Sequence, residues 1–272
     1  MSMSIQPSRA AFAAAMIALG ITGLVYGNAD LNWASIPKTL PGRPAVIYLS
    51  SVTELGTGIG LLLRPTVTLA CRGLLPFMLL WLVLLKLPGL LRAPHVMVRW
   101  ETFGETAAIA AGAWCLFAAH AGAWEQRHLK LAVGERGIRA ARLLLIAALP
   151  MLGLAHFVYH DLTASLVPKW LHFALFWTYL TGAASLAAAA GVLFGIYPRL
   201  AASLEAAMLW AFTLLVWVPR LASMPRDQEN LSELFISAAI AGGIWLVADT
   251  YRRVRWLASG KAARAVAFDG AR

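Results

Sequence analysis

This chain is short of charge. Only 13% of its 272 residues are Asp, Glu, Lys or Arg, about half the roughly 25% usual for soluble domains, so a water-soluble globular fold is excluded. Cysteine is scarce too. Cys71 and Cys115 both lie inside apolar segments without CxxC spacing, which excludes a disulfide scaffold and leaves no metal or thioredoxin-like motif. There is no Walker loop, dinucleotide fingerprint, nucleophile elbow or zincin signature. The longest polar stretch, the 121–141 linker, is too short to hide a soluble catalytic domain.

Apolar residues fill the gap: 60% of the chain is hydrophobic and its mean hydropathy is +0.69. A helix crosses the ~30 Å hydrocarbon layer with ~20 apolar residues. Apolar runs between charged or Pro/Gly-rich breaks predict eight spans, at 10–27, 44–63, 66–87, 102–120, 142–160, 173–194, 200–218 and 233–250. The first run, Ala11–Val25, has no small-residue cleavage site followed by polar chain, so it is expected to be retained as a membrane helix rather than removed as a signal.

Lys and Arg set the expected orientation. One side of the membrane receives Arg9, Arg64, Arg72, Arg127, Lys130, Arg136, Arg139, Arg142, Arg199, Arg252, Arg253, Arg255, Lys261, Arg264 and Arg272. The other receives Lys38, Arg43, Lys86, Arg92, Arg99, Lys169, Arg220 and Arg226. That asymmetry predicts both termini in the cytoplasm of a multi-pass bacterial inner-membrane protein. The net charge of +10 is then topological. The expected partners are the lipid bilayer, whose anionic headgroups meet the 252–255 run, and membrane or redox proteins; nucleic acid is not among them. Trp33, Trp100, Trp124, Trp170 and Trp256 fall near span ends, at the headgroup level that amphipathic rings prefer.

The chain also matches itself. Shifted by 131 residues, Asp30-Leu31 meets Asp161-Leu162, and Pro37-Lys38-x-Leu40 meets Pro168-Lys169-x-Leu171. Tyr48 meets Tyr179, Gly60 meets Gly191, Pro88 meets Pro219 and Pro94 meets Pro225; after a three-residue adjustment Glu101 and Glu105 meet Glu229 and Glu233. Matched Pro, Tyr, Asp and Glu at one offset point to a duplication. The expected fold is all-α: eight transmembrane helices as two tandem four-helix bundles, 1–120 and 139–255, with a charged cytoplasmic linker at 121–138 and a basic tail at 256–272. An even number of spans per unit gives both the same orientation, hence a pseudo-twofold axis along the membrane normal. Pro-containing segments are expected on the outer side at 30–43, 88–100, 161–172 and 219–232.

Both units then resemble a known family. SSVTELGTGIGLLLRP in the first, and GLAHFVYHDLTASLVPKWL followed by FWTYLTGAASLAAAAGVL in the second, look like the DoxX-like bacterial four-helix membrane proteins, here as two fused copies. The resemblance implies thiosulfate:quinone oxidation or membrane complexes that manage thiol and oxidative stress; most members have no assigned activity. The second unit departs from the pattern, with Ser185 where the first has Glu54, so an activity requiring that acid is expected in one half only.

Glu54 is the leading candidate for chemistry. It falls at the middle of the predicted 44–63 span, where an ionised carboxylate costs several kcal/mol unless it is protonated, paired or facing a wet cavity. Thr53, Thr57 and the glycines 56, 58 and 60 leave polar groups and space around it; the bland alternative is interhelical glue. His156 and His160 share one helix face beside Tyr159. Two histidines without a third ligand do not make a metal site, so His156 and Tyr159 are read as members of a polar ligand pocket with Glu54, Thr53 and Thr57, against the alternative of a satisfied buried imidazole. Glu101 with Glu105, and Glu229 with Glu233, read first as capping boxes opening two helices at Thr102 and Asn230. The alternative is an outer cavity lined by these acids and Arg99. Arg72, Lys86 and Glu205 lie close enough to span ends to snorkel, with Arg199 a partner for Glu205.

The function expected from these features is an accessory membrane subunit linked to redox metabolism that binds a small quinone- or lipid-like molecule, quinone being the only cofactor class suggested. Two alternatives stay open: a small-solute transporter built from parallel repeats, and a membrane enzyme using Glu54 as proton donor to an isoprenoid-like lipid.

Overall fold

In the computed structural model the described residues are 5–27, 36 and 40–260. The segment carrying Asp30, Trp33, Pro37 and Lys38, and the tail from 261 onwards, lie outside them. Eight helices are long and apolar enough to cross a membrane: α1 (Pro7–Tyr26), α2 (Arg43–Leu62), α3 (Val67–Arg92), α4 (Met97–His120), α5 (Gly134–Val158), α6 (Ala174–Phe194), α7 (Pro198–Ser223) and α8 (Gln228–Asp249). Two short helices, Ala123–His128 and His160–Leu166, sit in the connections. Among the described residues there is no strand, only an isolated bridge between Ile196 and Ser259. The architecture is that of a multi-pass membrane protein.

Each helix packs on its chain neighbour, and the series closes when α8 returns to α1. Across the middle of this ring α4 meets α8. These two are the most enclosed helices, 72% and 67% buried against 22% for α7. Their sequences explain the placement. Small residues surround both helices, and at their crossing a Cβ on Gly112 would lie 2.4 Å from the Cα of Gly243. Only glycine permits that backbone contact, and in lipid it is van der Waals packing at such contacts that holds helices together. The local sequence 107–114, AAIAAGAW, recurs as AAIAGGIW at 238–245, again 131 residues on. At that shift Glu101 and Glu105 stand opposite Ser232 and Ile236, and they meet Glu229 and Glu233 only with the three-residue adjustment.

Helix bounds recur at the same shift: Arg43–Leu62 with Ala174–Phe194, and Met97 with Gln228 as helix starts. So does an irregularity. Both α3 and α7 contain a π-helical turn, at Trp81–Lys86 and Thr213–Trp217. There the N–H of Leu87 reaches the carbonyl of Leu82, and that of Val218 the carbonyl of Thr213, five residues back. Pro88 and Pro219 follow immediately. Proline lacks an N–H and its ring crowds the carbonyl four residues earlier; the wider turn before it lets the helix continue to Arg92 and Ser223. The predicted ends at 87 and 218 were therefore too early.

One end of the ring gathers the basic residues. Ser8 donates to Asp249, which also holds Arg252 at 2.6 Å. Arg142 donates to Thr250 Oγ1 at 2.9 Å and lies 4.0 Å above the Tyr251 ring. Burial pushes the Tyr251 phenol up to about 12. Arg199 donates to the Val254 carbonyl and stacks on Trp256.

Candidate functional site

On α2 two faces diverge. Ile47, Ser51, Glu54, Gly58 and Leu61 turn into the bundle, where Gly58 abuts Ile17 of α1; Glu54 is wholly buried. The adjacent face forms, with α3, a groove of about 600 Å³ lined by Val52, Thr53, Gly56, Thr57, Ile59, Gly60 and Leu63, and by Thr66, Leu69, Ala70, Arg72 and Gly73. Its walls are open for an identifiable reason. A Cβ placed on Gly56 would touch nothing within 4 Å, and one on Gly73 would reach only the Thr57 methyl at 3.4 Å. Thr53 donates to the Leu49 carbonyl at 2.8 Å and Thr57 to that of Thr53 at 2.7 Å. Their protons are thus engaged within α2, and the groove is lined by methyl groups and hydroxyl lone pairs.

At its basic end the groove is bounded by Arg72. The guanidinium Nε donates to Glu125 Oε1 at 2.5 Å, and Glu125 Oε2 accepts from the Gly122 N–H at 2.9 Å, opening the short linker helix. Glu125 is buried, whereas the Arg72 side chain is 46% exposed. Its hydrogen bond from Arg72 and those from backbone amides hold the Glu125 carboxyl below the usual carboxylate range.

The five residues expected to form one pocket do not assemble. Thr53 and Thr57 line the groove; Glu54 does not. His156 is on α5, separated from α2 around the ring by α3 and α4. Its Nδ1–H reaches the Leu152 carbonyl at 2.9 Å and its ring stacks on Phe212 at 6.0 Å. The Tyr159 hydroxyl accepts from the Val98 N–H at 3.0 Å, satisfying one of the donors left open where α4 begins. Among the described residues no three of His, Cys, Asp and Glu are placed to hold a metal ion.

The capping boxes are corrected. Helix α4 starts at Met97, so Thr102 lies inside it, and α8 is capped by Asp227, which accepts from the Asn230 N–H at 2.8 Å. The sequence reading placed both helix starts several residues late. The acids have a different setting. Glu105 lies within electrostatic range of Glu101, Glu233 and Lys86, Glu233 within range of Glu229 and Glu101, and Lys86 within range of Arg99. Lys86, only 6% exposed, belongs to the π-helical turn of α3. The structure thus brings together Arg99, Glu101, Glu105, Glu229 and Glu233 at the end of α4 and α8 remote from the basic one.

Comparison with known proteins adds little chemistry. A family model described as a domain of unknown function (DUF8561) matches residues 145–230, from within α5 to the start of α8, and so does not include the groove. No curated protein and no solved structure matches the chain.

Two features escaped the sequence reading. Glu205 does not pair with Arg199; it accepts from the Ser185 hydroxyl at 2.8 Å in a buried contact between α6 and α7. Ser185 stands at the position of Glu54, and Glu205 at that of Leu74. Helix α7 thus carries a buried carboxylate of its own. Arg72 and Glu125 were also missed as a pair, because 53 residues separate them and neither belongs to a motif.

Proposed function

We propose that this is an inner-membrane protein that binds a small amphipathic, quinone- or lipid-like molecule in the α2–α3 groove, as an accessory subunit of redox metabolism of the DoxX-like type. The observation carrying this reading is the groove itself, with glycine where a side chain would fit. In the same reading the chain is two tandem four-helix units related by a pseudo-twofold axis along the membrane normal. The recurring helix bounds and the meeting of Gly112 with Gly243 support it. Both termini are placed in the cytoplasm, supported by the basic residues gathered at one end. Native mass spectrometry of protein extracted in mild detergent tests the binding function. A small amphipathic adduct on the wild type and none on Gly56→Leu is expected; identical spectra from a folded Gly56→Leu variant refute it.

A second reading, small-solute transport by parallel repeats, is favoured by the matched π-helical turns and the charged cluster beside one of them. Interrupted helices at corresponding positions are the usual pointer to a transport site. Solute uptake by proteoliposomes that is lost in Glu105→Gln would select it over the first.

A further inference from the structure

We propose that the occupant of the groove is an anionic phospholipid, with one acyl chain along α2 and its phosphate at Arg72. The inference rests on the groove reading above and deepens it. From Thr53 to Leu63 is about 15 Å of helix, half of the ~30 Å hydrocarbon layer, so the groove spans one leaflet and matches one lipid tail. Its far part is apolar, and its only charged lining residue is Arg72. A helical side chain leans toward its own N-terminus, which in α3 is the basic end, so the guanidinium sits where a headgroup lies. Glu125 engages Nε at 2.5 Å. A guanidinium carries five N–H donors in a rigid fork, so donors remain for phosphate oxygens. Glu125 balances the charge of Arg72 from the buried side, so the exposed edge of the guanidinium is the positive end of the pair and favours an acidic headgroup over a neutral quinone ring, which would leave those donors unused.

The experiment places the full-length protein in nanodiscs of equimolar phosphatidylglycerol and phosphatidylcholine and counts retained lipids by native mass spectrometry. The wild type should retain phosphatidylglycerol over phosphatidylcholine by up to about fivefold, the worth of one unpaired basic side chain at an anionic surface. Arg72→Gln should bring the ratio near one. Leu69→Glu, which adds a like charge to the same groove at an exposed position and leaves the Arg72–Glu125 pair in place, should do the same if Arg72→Gln does not fold. Gly56→Leu should lose lipid of both kinds. An undiminished phosphatidylglycerol preference in the charge variants, or a retained neutral quinone in place of phospholipid, overturns the proposal while leaving the groove reading standing. Retention by folded Gly56→Leu equal to wild type overturns both.

Discussion

The α2–α3 and α6–α7 seams have the same helix bounds and opposite contents. Thr53, Gly56, Thr57, Arg72 and Gly73 in the first become Ala184, Ala187, Ala188, Ser203 and Leu204 in the second. Gly56 and Gly73 are thus replaced by residues with side chains, and Arg72 by an uncharged serine. The buried acid follows a different rule. Each helix pair carries one, Glu54 on α2 and Glu205 on α7. The difference teaches that the groove residues and the buried acid do not travel together: the α6–α7 pair carries an acid without these two glycines or the cation. Glu205 accepts from the Ser185 hydroxyl at 2.8 Å, an interhelical hydrogen bond that joins α6 to α7.

The largest expected effect comes from putting both acids in one seam. Leu74→Glu, at a position 1% exposed, adds a second buried carboxylate to the first helix pair and should cost several kcal/mol, enough to prevent folding of a marginal protein. Adding Glu54→Ser recreates the Ser185–Glu205 arrangement and should restore most of the folded yield. A double variant as damaged as the single, judged by size-exclusion profile in detergent, would show that the two seams are not interchangeable. Ser185→Ala should have a smaller effect. It removes one interhelical hydrogen bond, which in membranes averages about 0.6 kcal/mol with a maximum near 1.7, measurable as a lowered thermal midpoint. An unchanged midpoint would show that this bond does not stabilise the helix pair. The smallest effect belongs to pH. Because the Glu125 carboxyl titrates below its ordinary range, its pairing contributes stability that is complete above the unfolded-state value and lost as pH falls through the lowered folded-state value. The protection of amides in the linker helix Ala123–His128, relative to the intrinsic exchange rate at each pH, should fall on acidification in the wild type. In Glu125→Gln it should be low at every pH; equal pH dependence in the two would rule out the pairing as its source.

The eight spans were legible because length and hydropathy suffice for them. Their ends were not. Continuation of α3 past Pro88 depends on a π-helical turn that no composition signals, and the start of α4 at Met97 depends on the distant hydroxyl of Tyr159. The 131-residue offset is legible from Pro and Tyr, and equally from the octet at 107–114 and 238–245. Of the candidate residues, Thr53 and Thr57 were found through their neighbouring glycines. Glu54 was drawn into the same pocket because adjacent residues in sequence lie about 100° apart on a helix, a separation that only packing against α1 makes decisive. The exchange of Glu54 for Glu205 was spelled out at the matched positions, yet its meaning required knowing that those two positions adjoin.

The contact between α4 and α8, with Ser8 reaching Asp249, bears on how the protein is made. A ribosome delivers helices in order, and α1 obtains its second neighbour only when α8 arrives. Until then the glycine-bearing flank of α4 faces lipid or whatever factor attends membrane insertion. Seven helices without the eighth would thus be an open arc with two unmatched edges, a substrate for membrane quality control. Synthesis of the last span acts as the clasp that ends this exposure.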